Sequence, residues 1–392
     1  MPKKAPANPF RFGDLALDES FTNRANELRE LTADVLNGQN MVIFAPRRYG
    51  KSSLVWRAIQ LLTAKRVLVA QVDLMTAATK EQLAAKLAQA IYEEIATPLF
   101  RAKERAAQVF RSLRIAPVMT VDPLDGSLGF SFRAGHATHD VDATLEKLFQ
   151  LPAELAAERG RRVCVVFDEF QEILELDPNL PALMRAVFQA QTEVAHVYLG
   201  SKHSMMVGLF NDANEPFWRS AKQMELGVIA PEDFAPFIHE RFEATGRRIE
   251  TDAVDAVLAT TRGHPYATQE VCYALWEETA PRGKAGLPQF EAALEQVLRS
   301  ENAHFTLIWD QASRVQRATL QALAAEPLVS ATSEDFRRRH GLPGGSSVQR
   351  ALDALIDEEV VLREGPGAYR IGEPFLAEWI VRLGRGQGAS SA

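Results

Sequence analysis

The sequence predicts an α/β fold with a parallel sheet, followed by a helical region and a small C-terminal module of helices and a two-stranded wing. Short apolar strands alternate with helical patterns up to about residue 230. Strand patterns then stop, and helices run to about residue 300. The final segment ends in two short strands around Gly365-Pro366-Gly367. Alternating strands and helices are typical of a parallel sheet covered on both faces.

Within the first region, strands and helices follow one another along the chain. A helix is predicted over 23–37, where apolar residues recur at helical spacing. Alternating residues around Asp125 and Gly126 predict a β-hairpin over about 116–133. The other predicted strands are 41–45, 66–72, 162–167 and 196–200, and the other helices are 52–64, 80–95 and 141–159.

After residue 230 the pattern changes twice. Helices without strands predict a helical lid, interrupted by a turn at Gly263-His264-Pro265. Three further helices and the wing predict a winged helix. The predicted domains are a lead-in (1–19), a core (20–230, with the hairpin inserted at 116–133), the lid (231–304), the winged helix (305–385) and a disordered tail (386–392).

Composition excludes several classes of protein. The chain has 44 Lys and Arg against 51 Asp and Glu, a net charge of −7, so it carries no chain-wide basic coat for nucleic acid or anionic membrane. Cys164 and Cys272 each lie in an apolar run, which excludes a disulfide framework and a cysteine zinc site. The N-terminus lacks an apolar signal region, and no apolar stretch is long enough to span a membrane. We expect a soluble cytoplasmic protein with no membrane partner.

The segment APRRYGKSS follows a predicted strand and opens a helix. It matches the phosphate-binding P-loop, except that Ala45 replaces the usual first glycine. Loop N–H groups and the helix dipole favour a polyphosphate there, Gly50 permits close approach, Lys51 can reach the β- and γ-phosphates, and Ser52 can ligate Mg²⁺. A Gly-Lys-Ser triplet also arises from composition alone, but the flanking strand and helix favour a nucleotide site. The residues expected to bind nucleotide are Pro46, Arg47, Arg48, Tyr49, Gly50, Lys51, Ser52 and Ser53.

Two acids, Asp168 and Glu169, end the strand RVCVVF. Ligands bind outside the carboxyl ends of strands in open parallel sheets. Asp168 can then hold Mg²⁺ through water, and Glu169 can accept the proton of an attacking water or orient it. The alternative is a solvated strand end, which the upstream P-loop makes the weaker interpretation.

The order of motifs resembles a known family. The segments, taken in order before a winged helix, are PFRFG, FTNRANELREL, APRRYGKSSL, VVFDEFQEI, GSKHSMM, PFWRSAKQMEL and GHPYATQEVC. They look like prokaryotic AAA+ ATPases of the archaeal-type group, near the STAND and origin-recognition branches, over about residues 8–383. The resemblance implies a P-loop NTPase sheet of AAA+ type, with ATP and Mg²⁺ bound at the seam between core and lid.

The resemblance also implies roles for residues outside the P-loop. Asn23 and Arg24 lie in the segment that packs near the adenine, although Asn23 departs from the usual Gly; a core or helix-cap role is the alternative. Ser201 lies at the position of sensor 1, which contacts the γ-phosphate or the water. His264 and Pro265 lie at the sensor-2 turn, where many members have Arg; His264 can instead cap a helix.

Arg219, in the segment PFWRS, follows the sensor-1 strand. In ring-forming members of the resembled family, an arginine in this region contacts a neighbour's γ-phosphate as a finger. The resemblance therefore implies a catalytic Arg219 and a nucleotide-dependent homo-oligomer. An ion pair with an acidic neighbour is the alternative.

The winged helix has no excess of basic residues over acidic ones. Residues 305–392 contain ten Arg against eleven Asp and Glu, and the third helix, 346–358, is mainly acidic. A basic run at 337–340 can grip DNA backbone or complement a helix dipole. We therefore favour an unknown protein partner for the winged helix over DNA, which stays the alternative.

Together these observations predict a Mg²⁺-dependent ATPase whose ATP and ADP states switch the winged-helix module. A DNA-binding regulator that uses ATP mainly as a structural ligand is the alternative. Intact Lys51, Ser52, Asp168 and Glu169 argue against an inactive scaffold.

Overall fold

A computed structural model describes residues 7–13, 24–96, 115–121, 128–134 and 141–389. The chain divides into two compact units. The sheet unit comprises Arg24–Arg47 and Lys51–Leu226, and the helical unit comprises Met1–Asn23, Arg48–Gly50 and Gly227–Ala392. Three residues of the predicted P-loop therefore belong, by their contacts, to the helical unit.

The sheet unit contains a five-stranded parallel sheet. Its chain forms the strands β1 (Met41–Phe44), β2 (Leu68–Asp73), β3 (Ile115–Val121), β4 (Leu128–Ala134), β5 (Val163–Asp168), β6 (Val194–Gly200) and β7 (Lys222–Glu225). The sheet order is β2-β5-β6-β1-β7, with every neighbouring pair parallel. The carboxyl ends of its five strands therefore share one edge. The strands β3 and β4 pair antiparallel as the predicted hairpin, whose turn at Asp125 and Gly126 lies outside the described residues.

Helices of the sheet unit follow the predicted order. They are α1 (Ala25–Leu36), α2 (Lys51–Ala64), α3 (Lys80–Ala90), α4 (Val141–Arg159), α5 (Ile173–Leu176), α6 (Leu180–Phe188) and α7 (His203–Asn211). A π-helical turn, Ile91–Ala96, extends α3, and a short 3-10 turn, Phe170–Glu172, follows β5.

The central strands are buried throughout their length. Every residue of β1 and of β6 is buried. This is the pattern of strands that are covered by helices on both faces, and it confirms the parallel α/β sheet. The sequence did not predict β7, because only Met224 of KQME is buried at this sheet margin.

The helical unit combines the predicted lid and winged helix. Its lid elements are α8 (Pro231–Ala244), β8 (Arg248–Ile249), α9 (Thr251–Thr261), α10 (Pro265–Glu278), β9 (Lys284–Ala285) and α11 (Leu287–Gln311). Its C-terminal elements are α12 (Arg314–Ala325), β10 (Val329–Ser330), α13 (Glu334–Arg339), α14 (Gly345–Asp357), β11 (Val361–Gly365), β12 (Ala368–Ile371) and α15 (Pro374–Ala389). The wing strands β11 and β12 pair antiparallel, and β10 adds a third strand beside β12.

One apolar core runs through the lid and the winged helix. It includes Phe234 of α8, Leu294 of α11, Leu352 of α14 and Phe375 of α15, all buried. The long helix α11 crosses the boundary predicted at 304/305. Packing of this kind makes the two regions parts of a single unit.

The last helix, α15, continues to Ala389, into the segment that the sequence assigns to a tail. Hydrogen bonding begun in the apolar start of this helix propagates along it at little further cost. Residues 390–392 lie outside the described residues. Among the described helices, none is both long and apolar enough to cross a membrane.

A buried acid, Glu270, lies near two half-buried acids in the helical unit. Glu270 of α10 is 3% exposed and interacts with Glu301 of α11 and with Glu373, which precedes α15. Burial raises the pKa of Glu270 to about 8, the two neighbouring carboxylates act in the same direction, and Arg48 opposes them. Glu270 therefore keeps its proton at neutral pH.

Replacing Glu270 with Gln should flatten the pH dependence of stability. In the folded chain Glu270 stays protonated up to about pH 8. In the unfolded chain the same carboxyl loses its proton at about pH 4.3. Between these values the folded state binds more protons, so the free energy of unfolding falls as pH rises. The uncharged amide should remove this fall and add about 1–3 kcal/mol of stability near pH 8.

Chemical denaturation of both proteins at about pH 5 and about pH 8 measures the effect. Glu278→Gln, a change at an exposed position of the same helix, is the control. The prediction would be contradicted if the free energy of unfolding changed with pH equally in Glu270→Gln and in the unchanged protein.

Candidate nucleotide-binding site

The loop after β1 holds two residues in the left-handed region. Arg48 has φ of 67° and Gly50 has φ of 83°. No atom lies within 4 Å of a Cβ built on Gly50, so the backbone conformation, rather than crowding, favours glycine there. Helix α2 begins at Lys51, so its unpaired N–H groups and positive dipole end lie directly after the loop.

Lys51 contacts both acids at the end of β5. Its side chain is almost fully buried. The Nζ atom donates a hydrogen bond to Glu169 Oε1 at 3.0 Å and lies 3.8 Å from Asp168 Oδ1. The tertiary structure thus brings together the lysine and the two acids, as a P-loop site requires.

Glu169 is held on both of its oxygens. Its Oε2 atom accepts hydrogen bonds from Gln171 Nε2 at 2.7 Å, Ser201 Oγ at 2.8 Å and the Ser201 N–H at 3.2 Å. Its backbone has φ of 50°, in the left-handed region. Burial acts to raise the pKa of Glu169, but Lys51 and the hydrogen bonds from Gln171 and Ser201 outweigh it and hold the pKa below its usual range. The side chain is therefore a carboxylate at neutral pH.

Asp168 and Asp73 end neighbouring strands. They are register partners of β5 and β2. Burial raises the pKa of Asp168, with Glu169 and Asp73 acting in the same direction and Lys51 opposing. The Oδ1 atom of Asp168 accepts the Glu169 N–H at 3.0 Å, and Asp73 Oδ1 accepts the Met75 N–H at 3.0 Å. The edge of the sheet therefore concentrates carboxylates beside a single buried ammonium.

The donor atoms at this edge suit Mg²⁺. The ion prefers carboxylate and hydroxyl oxygens and takes few protein ligands when it also binds phosphates. Asp168 and Asp73 supply carboxylate oxygens, and Ser52 is exposed in the first turn of α2. The residues predicted to ligate the metal, Ser52 and Asp168, therefore have the right chemistry for it.

Sequence reasoning missed Gln171 and Asp73. Gln171 is 0% exposed and reaches Glu169 from the turn after β5, a contact that the motif DEFQ does not by itself reveal. Asp73 ends an apolar strand just as Asp168 does, and that pattern was the available signal. A Cβ at Gly200 would meet the side chains of Met206 and Gln171, so a larger residue there would displace them.

The other loop residues differ in exposure. Ser53 is buried in α2, Arg47 is exposed and Pro46 is half-buried. Arg24 is 5% exposed and its Nη1 atom donates to Glu27 Oε1 at 2.9 Å at the start of α1. Asn23 lies outside the described residues. The adenine-proximal role of Asn23 and Arg24 stays a prediction.

His264 caps a helix in the helical unit. It is 2% exposed, and its Nδ1 atom accepts the Ala267 N–H at 3.2 Å at the start of α10, whose first residue is Pro265. Burial lowers the pKa of His264 to about 3, with the positive charges of Arg370 and Arg48 acting in the same direction. The imidazole is neutral and already used as a cap, and its sensor role stays a prediction.

Arg219 lies on the surface of the sheet unit. Its guanidinium stacks on the ring of Trp218, 5.3 Å from the centroid, and both side chains are exposed. Its backbone has φ of 49°. An exposed position is compatible with the finger role, which stays a prediction.

The fold and the lysine–acid geometry are those of a P-loop ATPase that is followed by a C-terminal winged helix. The chain belongs to the family of ATPase domains found predominantly in Archaea, whose model matches residues 21–271. A second model, for a "probable winged helix domain", matches residues 303–382. These matches confirm the resemblance noted in the sequence.

Solved structures share this fold at low sequence identity. The Walker-type ATPase PABY2304 of Pyrococcus abyssi is 16% identical, with a TM-score of 0.64 over 93% of this chain and 97% of that one. The ORC2 protein of Aeropyrum pernix is 13% identical, with a TM-score of 0.53 over 96% and 99%. No curated protein sequence matches the chain.

Ser201→Ala should lower turnover with little effect on nucleotide affinity. The change removes the 2.8 Å hydrogen bond to Glu169, and a hydrogen bond to a charged group is worth enough to reduce kcat by about tenfold or more. Steady-state ATPase kinetics measure kcat, and calorimetry measures the Kd. Ser204→Ala, at an exposed position of α7, is the matched control. A kcat equal to that of Ser204→Ala would contradict the prediction.

Proposed function

We propose that this ATPase binds Mg²⁺–ATP at the loop 45–52, hydrolyses it with Glu169, and uses its nucleotide state to control the winged-helix module. One observation carries the proposal. The Lys51 ammonium donates a hydrogen bond to Oε1 of Glu169, and the side chains of Gln171 and Ser201 donate to Oε2 of the same carboxylate. This geometry supports a link between phosphate binding and the basicity of Glu169.

Lys51 can serve either the acids or the phosphates. The β- and γ-phosphate oxygens of ATP are negatively charged, so a bound triphosphate competes with the acids for the ammonium. Loop N–H groups and the positive end of α2 bind the same phosphates. We infer that nucleotide binding draws Lys51 away from Glu169 Oε1.

When Lys51 moves away from Glu169, that carboxylate becomes a better base. Oε1 then has no ammonium beside it, while Ser201 and Gln171 still hold Oε2. Loss of a neighbouring positive charge raises the pKa of a carboxylate, which strengthens it as a proton acceptor. Glu169 Oε1 accepts the proton of a water whose oxygen bonds to the γ-phosphorus, and the bond to the β–γ bridging oxygen breaks to release ADP.

Asp168 and Ser52 are the residues that would hold Mg²⁺. The ion neutralises charge on the phosphate oxygens when it is bound. The ATP preference is supported by the family match to ATPase domains. The ORC2 structure of Aeropyrum pernix is of complexes with ADPNP and ADP, which agrees with an adenine nucleotide here.

The exposed face of the winged helix favours a protein partner. The residues exposed on α14 and directly after it include Arg350 but also Asp353, Asp357 and Glu358. The basic run that could have gripped DNA is engaged within the domain. Arg338 pairs with Asp335 at 2.9 Å, while Arg339 and His340 bond to Glu326 at 2.7 and 3.0 Å. These ion pairs offset part of the positive charge that phosphate neutralisation would need.

Glu169→Gln should retain nucleotide binding and lose turnover. The amide cannot accept the water proton, whereas the loop and Lys51 remain, so kcat should fall by about 100-fold or more. Malachite-green assays of released phosphate measure turnover, and calorimetry with Mg²⁺–ADP measures binding. Glu175→Gln, an exposed neighbour on α5, is the control. Undiminished turnover in Glu169→Gln would remove Glu169 from the mechanism.

The protein should show no binding to random duplex DNA at low salt, because acids offset the exposed arginines in the described part of its winged helix. Fluorescence anisotropy with a labelled duplex, in the presence of Mg²⁺–ATP and across a salt series, measures this. Binding that weakens steeply with salt would identify phosphate contacts and support the DNA-regulator alternative. Arg350→Glu would then test whether α14 carries that binding.

A further inference from the structure

Two side chains of the phosphate loop are fixed within the helical unit. Tyr49 is 2% exposed and its hydroxyl bonds to Nη2 of Arg370, on wing strand β12, at 2.6 Å. The Tyr49 ring also packs edge-to-face against His264, with centroids 4.7 Å apart. The phosphate loop is therefore anchored to the wing at the residue directly before Gly50.

Arg370 is itself held rigidly. It is 7% exposed, and besides Tyr49 it donates to Glu364 Oε1 at 2.5 Å and to the Ile371 carbonyl at 3.4 Å. Glu364 belongs to the opposing wing strand β11. The two wing strands together thus hold the guanidinium in place before it meets Tyr49, so the contact loses little side-chain entropy.

Arg48 makes a second, weaker link. Its Nη1 atom lies 3.3 Å from Glu373 Oε2, and its guanidinium lies 4.4 Å above the Tyr266 ring. The Arg48 side chain is 39% exposed, and ion pairs at such exposure contribute little. The buried Tyr49–Arg370 hydrogen bond is therefore the stronger of the two contacts.

These anchors act on the groups that bind phosphate. A P-loop binds mainly through backbone N–H groups, so their directions depend on how the loop backbone is fixed. Tyr49 lies between two residues in the left-handed region, Arg48 and Gly50. The chain then passes from the helical unit into the sheet unit between Gly50 and Lys51. A side chain fixed at Tyr49 thus fixes the loop one residue before its glycine and two before its lysine.

We propose that Arg370 of the wing is a positioning residue for nucleotide binding, acting through Tyr49 to keep the phosphate loop in its binding shape. The proposal deepens the proposed function and depends on it. Nucleotide binding and the position of the wing both depend on this contact. Nucleotide and a ligand that moves the wing must therefore alter each other's affinity by the same factor. In the proposed switch, the Tyr49–Arg370 hydrogen bond connects the phosphate loop to the wing.

The test compares Tyr49→Phe, Arg370→Gln and the double variant by calorimetry with Mg²⁺–ADP. Phenylalanine keeps the ring against His264 and removes only the hydroxyl. Each single change should raise the Kd by about tenfold, equivalent to about 1.4 kcal/mol, and the double variant should be no weaker than either single one. For Arg370→Gln the loss should appear in KM rather than in kcat at saturating ATP, because Lys51, Asp168 and Glu169 are unchanged.

Arg363→Gln, a change at an exposed position of the same wing, is the matched control and should bind like the unchanged protein. Arg370→Lys, which keeps the positive charge and one donor nitrogen, should recover part of the lost affinity. If Arg370→Gln fails to fold, as thermal denaturation would show, Tyr49→Phe decides. A Kd for Tyr49→Phe within about twofold of the unchanged protein, or effects that multiply in the double variant, would overturn the proposal.

The two proposals fail in different ways. Absence of nucleotide binding by the unchanged protein would refute the proposed function itself. Normal binding by the unchanged protein and by both single variants would refute only the positioning role of Arg370.

Discussion

The site depends on one electrostatic contact, that of the buried Lys51 ammonium with the acids that end β5. A buried positive charge is tolerated only when opposite charges and hydrogen bonds compensate it. Glu169 provides both at 3.0 Å, and Asp168 lies a little farther away. In the proposed function, phosphate oxygens take the place of the acids, so the ammonium stays compensated when nucleotide binds.

The second constraint is the anchoring of the loop to the wing. Arg370, in a strand more than 300 residues away in the chain, bonds to a tyrosine directly before the loop glycine. The wing strand β12 is only four residues long, and it places a nearly buried guanidinium next to the phosphate loop. In the proposed switch, this contact is the route by which the winged helix would respond to nucleotide, apart from any ligand that its own surface binds.

Local patterns in the sequence were sufficient for much of the fold. Buried strands such as MVIFA and RVCVVF reveal a parallel sheet, because burial on both faces requires an uninterrupted apolar run. The loop APRRYGKSS and the pair Asp168 and Glu169 were identifiable because close backbone approach and metal binding permit few residue types. The strand β7 escaped prediction, since KQME at the sheet margin carries neither alternation nor an apolar run.

The sequence by itself determined the order of elements, the phosphate loop and the two acids, because each follows from residues adjacent in the chain. The tertiary structure alone decided which distant side chains meet. It brought Gln171 and Ser201 onto one oxygen of Glu169, joined Tyr49 to Arg370, and turned His264 into a helix cap. These contacts depend on how helices and strands pack, and packing is set by the whole core rather than by any local pattern.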